Sequence, residues 1–433
     1  MLRLDYKQKD FRQQLEAFCA AAAQQPEVVQ AVSEIIADIR TRGDLGVLYH
    51  TAKFDHAKLT SKQMRVPGEV IEKAAKTIPS AQRKAFEEAA KGIRDFHKRT
   101  LPKDWKAKNQ HGATIGEKFF PIRRCGLYVP GGQVPLVSSV LMSVIPATLA
   151  GVPEIVVCTP PQPNGQINPA ILAALQFCGV TEVYAIGGVQ AIAAMAYGTE
   201  TIPAVDKVFG PGNAFVCEAK RQVFGTVGVD LLPGPSEVMV IADKTAQPDW
   251  VAADLLAQAE HGTGKEKVYL VTSCEKTLSA VERAIEVQLA SLPHAEKIRK
   301  VLANGFCAIL VPGSAQFVEI ANYVAPEHLE LQVATKDIPK LAKGITTAGA
   351  MLLGAHSPTV LGDFTAGPSH TLPTGRTGRF FSGLQVADFI RRTSIVEYDA
   401  NSLKKAASVV GAFGAMEQLD AHARSLTIRL EKK

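Results

Sequence analysis

Through residues 1–100 the apolar positions recur with helical spacing. Residues 27–42 place Val28, Val32, Ile35, Ile36 and Ile39 on one face and predict a helix. The Ala- and Gln-rich stretch 11–23 predicts another. Residues 80–98 predict a third, with Ser80 placed to cap it just after Pro79. Around Pro121 the texture changes to short apolar runs alternating with amphipathic stretches. Strands are expected at 154–159, 182–186 and 207–209, with helices at 168–178, 190–197 and 213–223. A second round follows, with strands at 238–242, 267–272 and 307–311 and helices at 249–260, 278–290 and 315–323. This alternation predicts parallel sheets with helices on both faces. No short tandem repeat occurs, but the two rounds are candidates for a distant structural duplication. The C-terminal stretch returns to helix and ends in a short apolar run, 426–430.

Length and composition add bounds. The 433 residues are 46% hydrophobic, and single cores stop growing at roughly 250–300 residues, so at least two domains are expected. The most apolar stretch, 134–152, carries Pro135 and Pro146 among several Ser and Thr. It reads as a buried helix, since a membrane span needs about 20 predominantly apolar residues. Residues 1–10 are charged and lack the apolar core of a signal peptide. The formal net charge is +6 with dispersed Lys and Arg. No basic stripe with interleaved aromatics marks a nucleic-acid partner, and mild basicity suits an anionic ligand such as a dinucleotide. Seven widely spaced cysteines form no Cys-x-x-Cys, which indicates neither a disulfide framework nor a thiolate zinc site. A soluble protein of the reducing cytoplasm is expected, without a membrane partner.

Glycine turns follow several expected strands: Pro130-Gly131-Gly132, Gly187-Gly188, Gly210-Pro211-Gly212 and Gly234-Pro235. Parallel sheets bind ligands at the carboxyl ends of their strands, and glycine lets backbone N–H groups approach phosphate. None is a full G-x-G-x-x-G, so tight turns in any doubly wound fold explain them equally well. Tyr128, Gln190 and Asn213 sit in or beside these turns.

Four clusters carry candidate chemistry. In Ala257-Gln258-Ala259-Glu260-His261-Gly262, the nearby Val251, Leu255, Leu256 and Ala259 mark the apolar face of a helix. Gln258 and His261, three apart, project side by side near its C-terminal end, within reach of one ion. Such pairs are also commonplace on surfaces. Pro326-Glu327-His328 lies between a helix and a strand-like run, and offers two separate proton acceptors or a plain surface turn. Residues 362–370, with Asp363 and His370, form a turn-rich segment that is a functional loop or only a loop. Glu417 and His422 stand five apart near the C-terminus, where a solvated end explains them as well.

In combination these segments are specific. R-C-G-L-Y-V-P-G-G, A-I-G-G-V-Q-A-I-A-A-M-A-Y-G-T-E, V-D-K-V-F-G-P-G-N-A-F-V, G-P-S-E-V, Q-A-E-H-G, P-E-H-L, G-D-F-T-A-G-P-S-H and L-D-A-H occur in this order. In order and spacing the chain resembles the histidinol dehydrogenase family over essentially its whole length. The resemblance implies zinc held by Gln258, His261, Asp363 and His422. It implies Glu327 and His328 as the acid–base pair, and Ser236, His370 and Glu417 as further substrate contacts beside Gln258, His261, His328, Asp363 and His422. Tyr128, Gln190 and Asn213 would contact NAD. It also implies a homodimer whose C-terminal segment crosses over, so that Glu417 and His422 complete the neighbour's site.

With it comes an expected organisation: an α/β fold of two Rossmann-like parallel-sheet domains with helical N-terminal and helical or extended C-terminal segments, intertwined as a homodimer. Residues 1–25 form a helical arm, and 26–127 with 238–384 a discontinuous α/β domain carrying zinc and the catalytic residues. Residues 128–237 form an inserted NAD-binding domain, and 385–433 the segment reaching the partner. Departures from the family pattern are few. Pro135-Leu136-Val137-Ser138 stands where Tyr-Pro-Ser is frequent, Ser369 where Asn is common, and Gly262 where Asp is frequent.

The implied activity is the oxidation of L-histidinol to L-histidine through bound histidinal, the last step of histidine biosynthesis. Zinc, which has no redox chemistry, would orient the substrate's imidazole and amine nitrogens. Neutral His328 would take the alcohol proton, and Glu327 would activate the water that hydrates the aldehyde. Two NAD would be used per product. A paralogous dehydrogenase acting on another small alcohol, such as sulfopropanediol, shares this machinery. A zinc hydrolase lacks an HExxH-type site here, and a non-catalytic binding protein would leave the whole residue set idle.

Overall fold

Three sheets organise the chain in the computed structural model, which describes residues 1–20, 26–131, 135–261 and 264–431. The strands are β1 (Leu2–Asp5), β2 (Trp105–Lys108), β3 (Thr114–Pro121), β4 (Arg124–Tyr128), β5 (Glu154–Thr159), β6 (Glu182–Ala185) and β7 (Lys207–Phe209). They continue with β8 (Gly228–Val229), β9 (Glu237–Ala242), β10 (Lys267–Thr272), β11 (Phe306–Leu310), β12 (His328–Gln332), β13 (Ala350–Leu353) and β14 (Ile390–Glu397). One all-parallel sheet runs β6-β5-β4-β7-β8, and a second runs β1-β11-β10-β9-β12-β13. Numbered within each round, both have the Rossmann order 3-2-1-4-5, the second with β1 added at its edge. The expected duplication is therefore visible in the topology.

These strands form where the sequence supplies unbroken apolar runs. Every residue of β9 and β10 is buried, as befits parallel strands covered on both faces. On the five-stranded sheet, helices Val137–Leu149 and Pro169–Phe177 cover one face, and Gly188–Tyr197 and Ala214–Val223 the other. On the six-stranded sheet, Pro248–Ala259, Glu275–Leu289 and Ala295–Gly305 cover the face opposite Phe11–Ala20 and Ser314–Val324. Among the described residues no helix is long and apolar enough to cross a membrane.

Several expectations need correction. Helix Phe11–Ala20 precedes residues 21–23 of the expected span, which lie outside the described residues, as do Val134, Gly132 and Gly262. Pro79, not Ser80, is the N-cap of Ser80–His97, with no side-chain capping bond. Residues 2–5 are not part of a helical arm but an edge strand pairing with β11. The C-terminal stretch, expected as helical or extended, is both: strand β14 runs antiparallel to β3 along its whole length before helices Ala400–Glu417 and Asp420–Thr427. The contacts also group residues differently from the expected division. Helix Pro26–Arg42 packs Val32, Ile35, Ile36 and Ile39 against Tyr184 and Ile192, while Ile71, Phe86 and Ile93 pack with Cys125 and Leu127. Apolar burial thus joins residues 26–97 chiefly to the five-stranded sheet, with Leu384 in the same cluster.

The turn after β7 is fixed from both sides. Gly210 has φ +115°, and a Cβ there would collide with the carbonyl oxygen of Tyr128. Its carbonyl accepts from Lys220 Nζ at 2.8 Å and its N–H donates to Asp230 Oδ2 at 2.8 Å, while Lys220 and Asp230 form a fully buried ion pair. Lys220→Met is expected to cost about 3–5 kcal/mol in urea unfolding, because it strands Asp230 as an unpaired buried charge.

Candidate active site

Helix Ser314–Val324 stops at Ala325, which adopts the left-handed conformation, and Pro326 then feeds the chain into β12. Glu327 and His328 therefore stand at the amino edge of the six-stranded sheet, where His328 pairs in register with Val238 and Ala350. The backbone of Glu237 holds both. Its N–H donates to Glu327 Oε2 at 2.8 Å, and its carbonyl lies 3.3 Å from His328 Nδ1. A proton on Nδ1, donated to that carbonyl, leaves Nε2 as the bare acceptor. Nε2 faces Asp363 Oδ1 at 3.7 Å, and Glu327 Oε2 lies 3.9 Å from Nδ1.

Asp363 comes from the short helix Thr359–Phe364, and His370 follows in the next loop with Nε2 3.2 Å from Ser139 Oγ. Ser139 belongs to helix Val137–Leu149, which follows the first glycine turn. The amino edge of the larger sheet and the carboxyl edge of the smaller one thus meet here. Gln258 ends the neighbouring helix Pro248–Ala259, buried with Nε2 unpartnered among the described residues, and His261 follows within one turn. An apolar cavity of about 310 Å³, lined by Phe86, Ile93, Leu141 and Met142, reaches Asp363.

Burial governs the electrostatics. Desolvation pulls His328 down to about 4, and the neighbouring His370 and His261 act in the same direction. His370 is likewise lowered by desolvation to about 4. Both rings are neutral near pH 7. Desolvation pushes Asp363 up to about 6 and Glu327 well above the usual carboxylate range, the latter helped by the charges of Glu237 and Asp363.

Of the twelve expected site residues, Gln258, His261, Glu327, His328, Asp363 and His370 gather around this edge, and Ser236 precedes Glu237 directly. Glu417 and His422 lie exposed on the C-terminal helices. Among the described residues no hydrogen bond or ion pair links them to the cluster. In the glycine-turn region, Tyr128 Oη accepts from Gly188 N at 3.3 Å, and Gln190 Nε2 donates to Asp55 Oδ2 at 3.0 Å. Exposed Asn213 caps helix Ala214–Val223 through Phe215 N and Val216 N. Gly234-Pro235 differs from expectation, since it leads into β9 and does not close a strand.

Ser139, Asp55 and Glu237 were missed. A serine in an apolar helix, and a glutamate opening an apolar strand, were the available signals. Glu237 acts on the pair through its backbone, so its residue type could mark the place but not the contact. Asp55 yields a pH prediction. Desolvation raises it to about 6, opposed by Gln190 and His56. A carboxyl raised on folding contributes stability below its unfolded pKa, about 3.8, that is lost as pH climbs through 6. Asp55→Asn should therefore match wild type at pH 4 and exceed it by about 1–2 kcal/mol at pH 8, after allowing for screening of a partly exposed group. Urea unfolding at the two pH values checks this.

A buried histidine–carboxyl cluster at the meeting edges of two parallel sheets is an enzyme's arrangement. The family model described as histidinol dehydrogenase matches residues 20–430. The chain is 46% identical over 430 residues to a histidinol dehydrogenase of Rhizobium meliloti, covering 99% of this chain and 98% of that one. It is 44% identical over 403 residues to one of Geobacillus kaustophilus, covering 93% and 94%. The crystal structure of histidinol dehydrogenase from Elizabethkingia anophelis superposes with TM-score 0.93 at 35% identity, covering 99% of this chain and 98% of that one. The chain belongs to the histidinol dehydrogenase family.

The residues present fit both groups that the family membership suggests. Among the described residues no three His, Cys, Asp or Glu side chains stand close enough to hold a metal alone. The expected zinc set does not require that, since it comprises an amide, one histidine, one carboxylate and a second histidine from a neighbour. Gln258, buried with its amide Nε2 unpartnered among the described residues, fits such a role with the amide turned to present its oxygen, the atom a zinc ion takes. For a dinucleotide, the Gly187-Gly188 and Gly210 turns bring backbone to the sheet edge where side chains would not fit, as Gly187 abuts Pro160.

Proposed function

We propose that this chain performs the two-step, NAD-dependent oxidation of L-histidinol to L-histidine through enzyme-held histidinal, the last step of histidine biosynthesis. The observation that carries the proposal is His328, neutral and with Nε2 bare, poised between Glu327 and Asp363 in a buried cleft.

Gln258, His261 and Asp363 would hold zinc together with His422 of a second copy. When bound, zinc would supply an anchor for the substrate's imidazole and amine nitrogens, and NAD would supply the hydride acceptor. Tyr128, Gln190 and Asn213 would line the NAD side, where the glycine turns permit close approach.

The chain's own residues handle the protons. His328 Nε2 takes the hydroxyl proton of histidinol during the first oxidation. Glu327, whose burial makes its carboxylate a stronger base than an exposed one, takes a proton from the water that hydrates the aldehyde. His328 acts again when the hydrate is oxidised. Ser236 and His370, with Glu417 of the second copy, would hold polar groups of the substrate. A closed site retains the aldehyde, which would otherwise react with free amines.

Two features support a homodimer with shared sites: Glu417 and His422 sit apart from the cluster on their own chain, and Val396, Val409, Phe413 and Met416 are exposed along the same C-terminal segment. Seven free cysteines support a reducing cytoplasmic setting.

The test is purified protein with NAD, zinc and L-histidinol, following NADH absorbance and histidine together. Two NADH for each histidine are expected. Turnover of sulfopropanediol with none of histidinol would overturn the substrate assignment.

A further inference from the structure

One layer below the site is a second polar cluster that the proposed reaction does not use. On β12 the side chains of His328, Glu330 and Gln332 share one face by strand alternation, toward helix Pro248–Ala259. Glu330 and Gln332 are buried. Glu330 Oε1 accepts from Thr359 N and from Thr359 Oγ1, each at 2.7 Å. Gln332 Nε2 donates to Glu330 Oε2 at 3.1 Å and to Asp254 Oδ2 at 2.5 Å.

These bonds join the three elements that carry the site. Asp254 lies four residues before Gln258 on one helix, and Thr359 four residues before Asp363 on another, so each anchor shares a face with its site residue. Glu330 lies two residues after His328 on the strand. Every anchor is one repeat of its element away from the group it would place. Burial, followed by the charge of Glu330, holds Asp254 well above the usual carboxylate range. An apolar layer of equal volume would be at least as stable. Directional bonds add what apolar packing lacks, a fixed axial register between helix and strand.

We propose that the Asp254–Gln332–Glu330–Thr359 cluster is a positioning device that sets the spacing of Gln258, Asp363 and His328, and thereby the zinc affinity of the site. It rests on the assignment of Gln258, His261 and Asp363 as zinc ligands. The four residues are positioning residues and touch no substrate.

The test measures Zn²⁺ affinity of the purified full chain against a chelating dye, with KM and kcat for L-histidinol and the unfolding temperature. Asp254→Ala and Thr359→Val are expected to weaken Zn²⁺ binding about tenfold or more and to raise KM. The conservative Asp254→Asn keeps an acceptor for Gln332 and gains a donor toward Glu330, and Thr359→Ser keeps the hydroxyl; both should stay within about threefold of wild type on the same scale. A lowered unfolding temperature with unchanged Zn²⁺ affinity and KM would reduce the cluster to a purely structural role and overturn the proposal. So would Asn and Ser variants as impaired as Ala and Val. Wild-type protein that takes up no Zn²⁺ overturns the ligand assignment itself, a result distinct from both.

Discussion

His328→Asn is expected to lower the histidinol-dependent rate by about 10²–10⁴-fold, the usual contribution of a positioned base. Asparagine can still donate to the Glu237 carbonyl, 3.3 Å from the native Nδ1, so the fold at this edge is retained while the bare nitrogen is lost. KM for histidinol should change far less than kcat, because the missing interaction is made with a proton in flight. Glu327→Gln gives the complementary pattern. The glutamine oxygen still accepts from Glu237 N, but the base for hydration is gone. Oxidation of supplied histidinal should fall by a similar factor, with the first oxidation relatively spared. Single-turnover measurements from each substrate separate the two. Loss of the first step alone in Glu327→Gln would reverse the assignments.

Mixing two variants that each fail to form histidine is expected to restore histidine formation. Glu327→Gln removes a group from the sheet edge, and His422→Asn removes a proposed ligand from the exposed C-terminal helix. If each site combines one chain's Glu327 with the other's His422, a hybrid dimer contains one doubly damaged site and one intact site. After subunit exchange at equal proportions, roughly a quarter of wild-type histidine formation should return, since half the dimers are hybrids with one working site each. Sites built within single chains would stay dead in every hybrid. The exposed Val409, Phe413 and Met416 on the preceding helix offer the surface for such an exchange.

The parallel rounds were legible because their strands are buried on both faces: β9 and β10 read as unbroken apolar runs and their bounds lie within a residue of those expected. β1 was not, since its Leu-Arg-Leu-Asp alternation spans only four residues and its partner β11 lies far along the chain. β14 was hidden by Arg391, Arg392 and Glu397, charges that an exposed antiparallel strand tolerates. Helical spacing in 27–42 identified a helix and its buried face but not the sheet that face meets, which is a tertiary fact. Within the site, Gln258 and His261 were readable as neighbours on one helix. Their meeting with His328 and Asp363 was not readable from spacing, because more than sixty residues and two further strands intervene; only the order of motifs suggested it. The glycine turns pointed to the carboxyl edge of the smaller sheet. The histidine cluster stands at the amino edge of the larger one, against the common rule for parallel sheets, and only the packing of the two sheets brings those edges together.

The most direct measurement is zinc-edge anomalous diffraction from crystals of the protein grown with zinc. One peak per chain is expected, within about 2.0–2.2 Å of ligand atoms from Gln258, His261 and Asp363, with His422 of the other copy closing the set. A peak elsewhere, or one ringed by ligands of a single chain with His422 distant, would contradict the shared site on which the proposed chemistry depends.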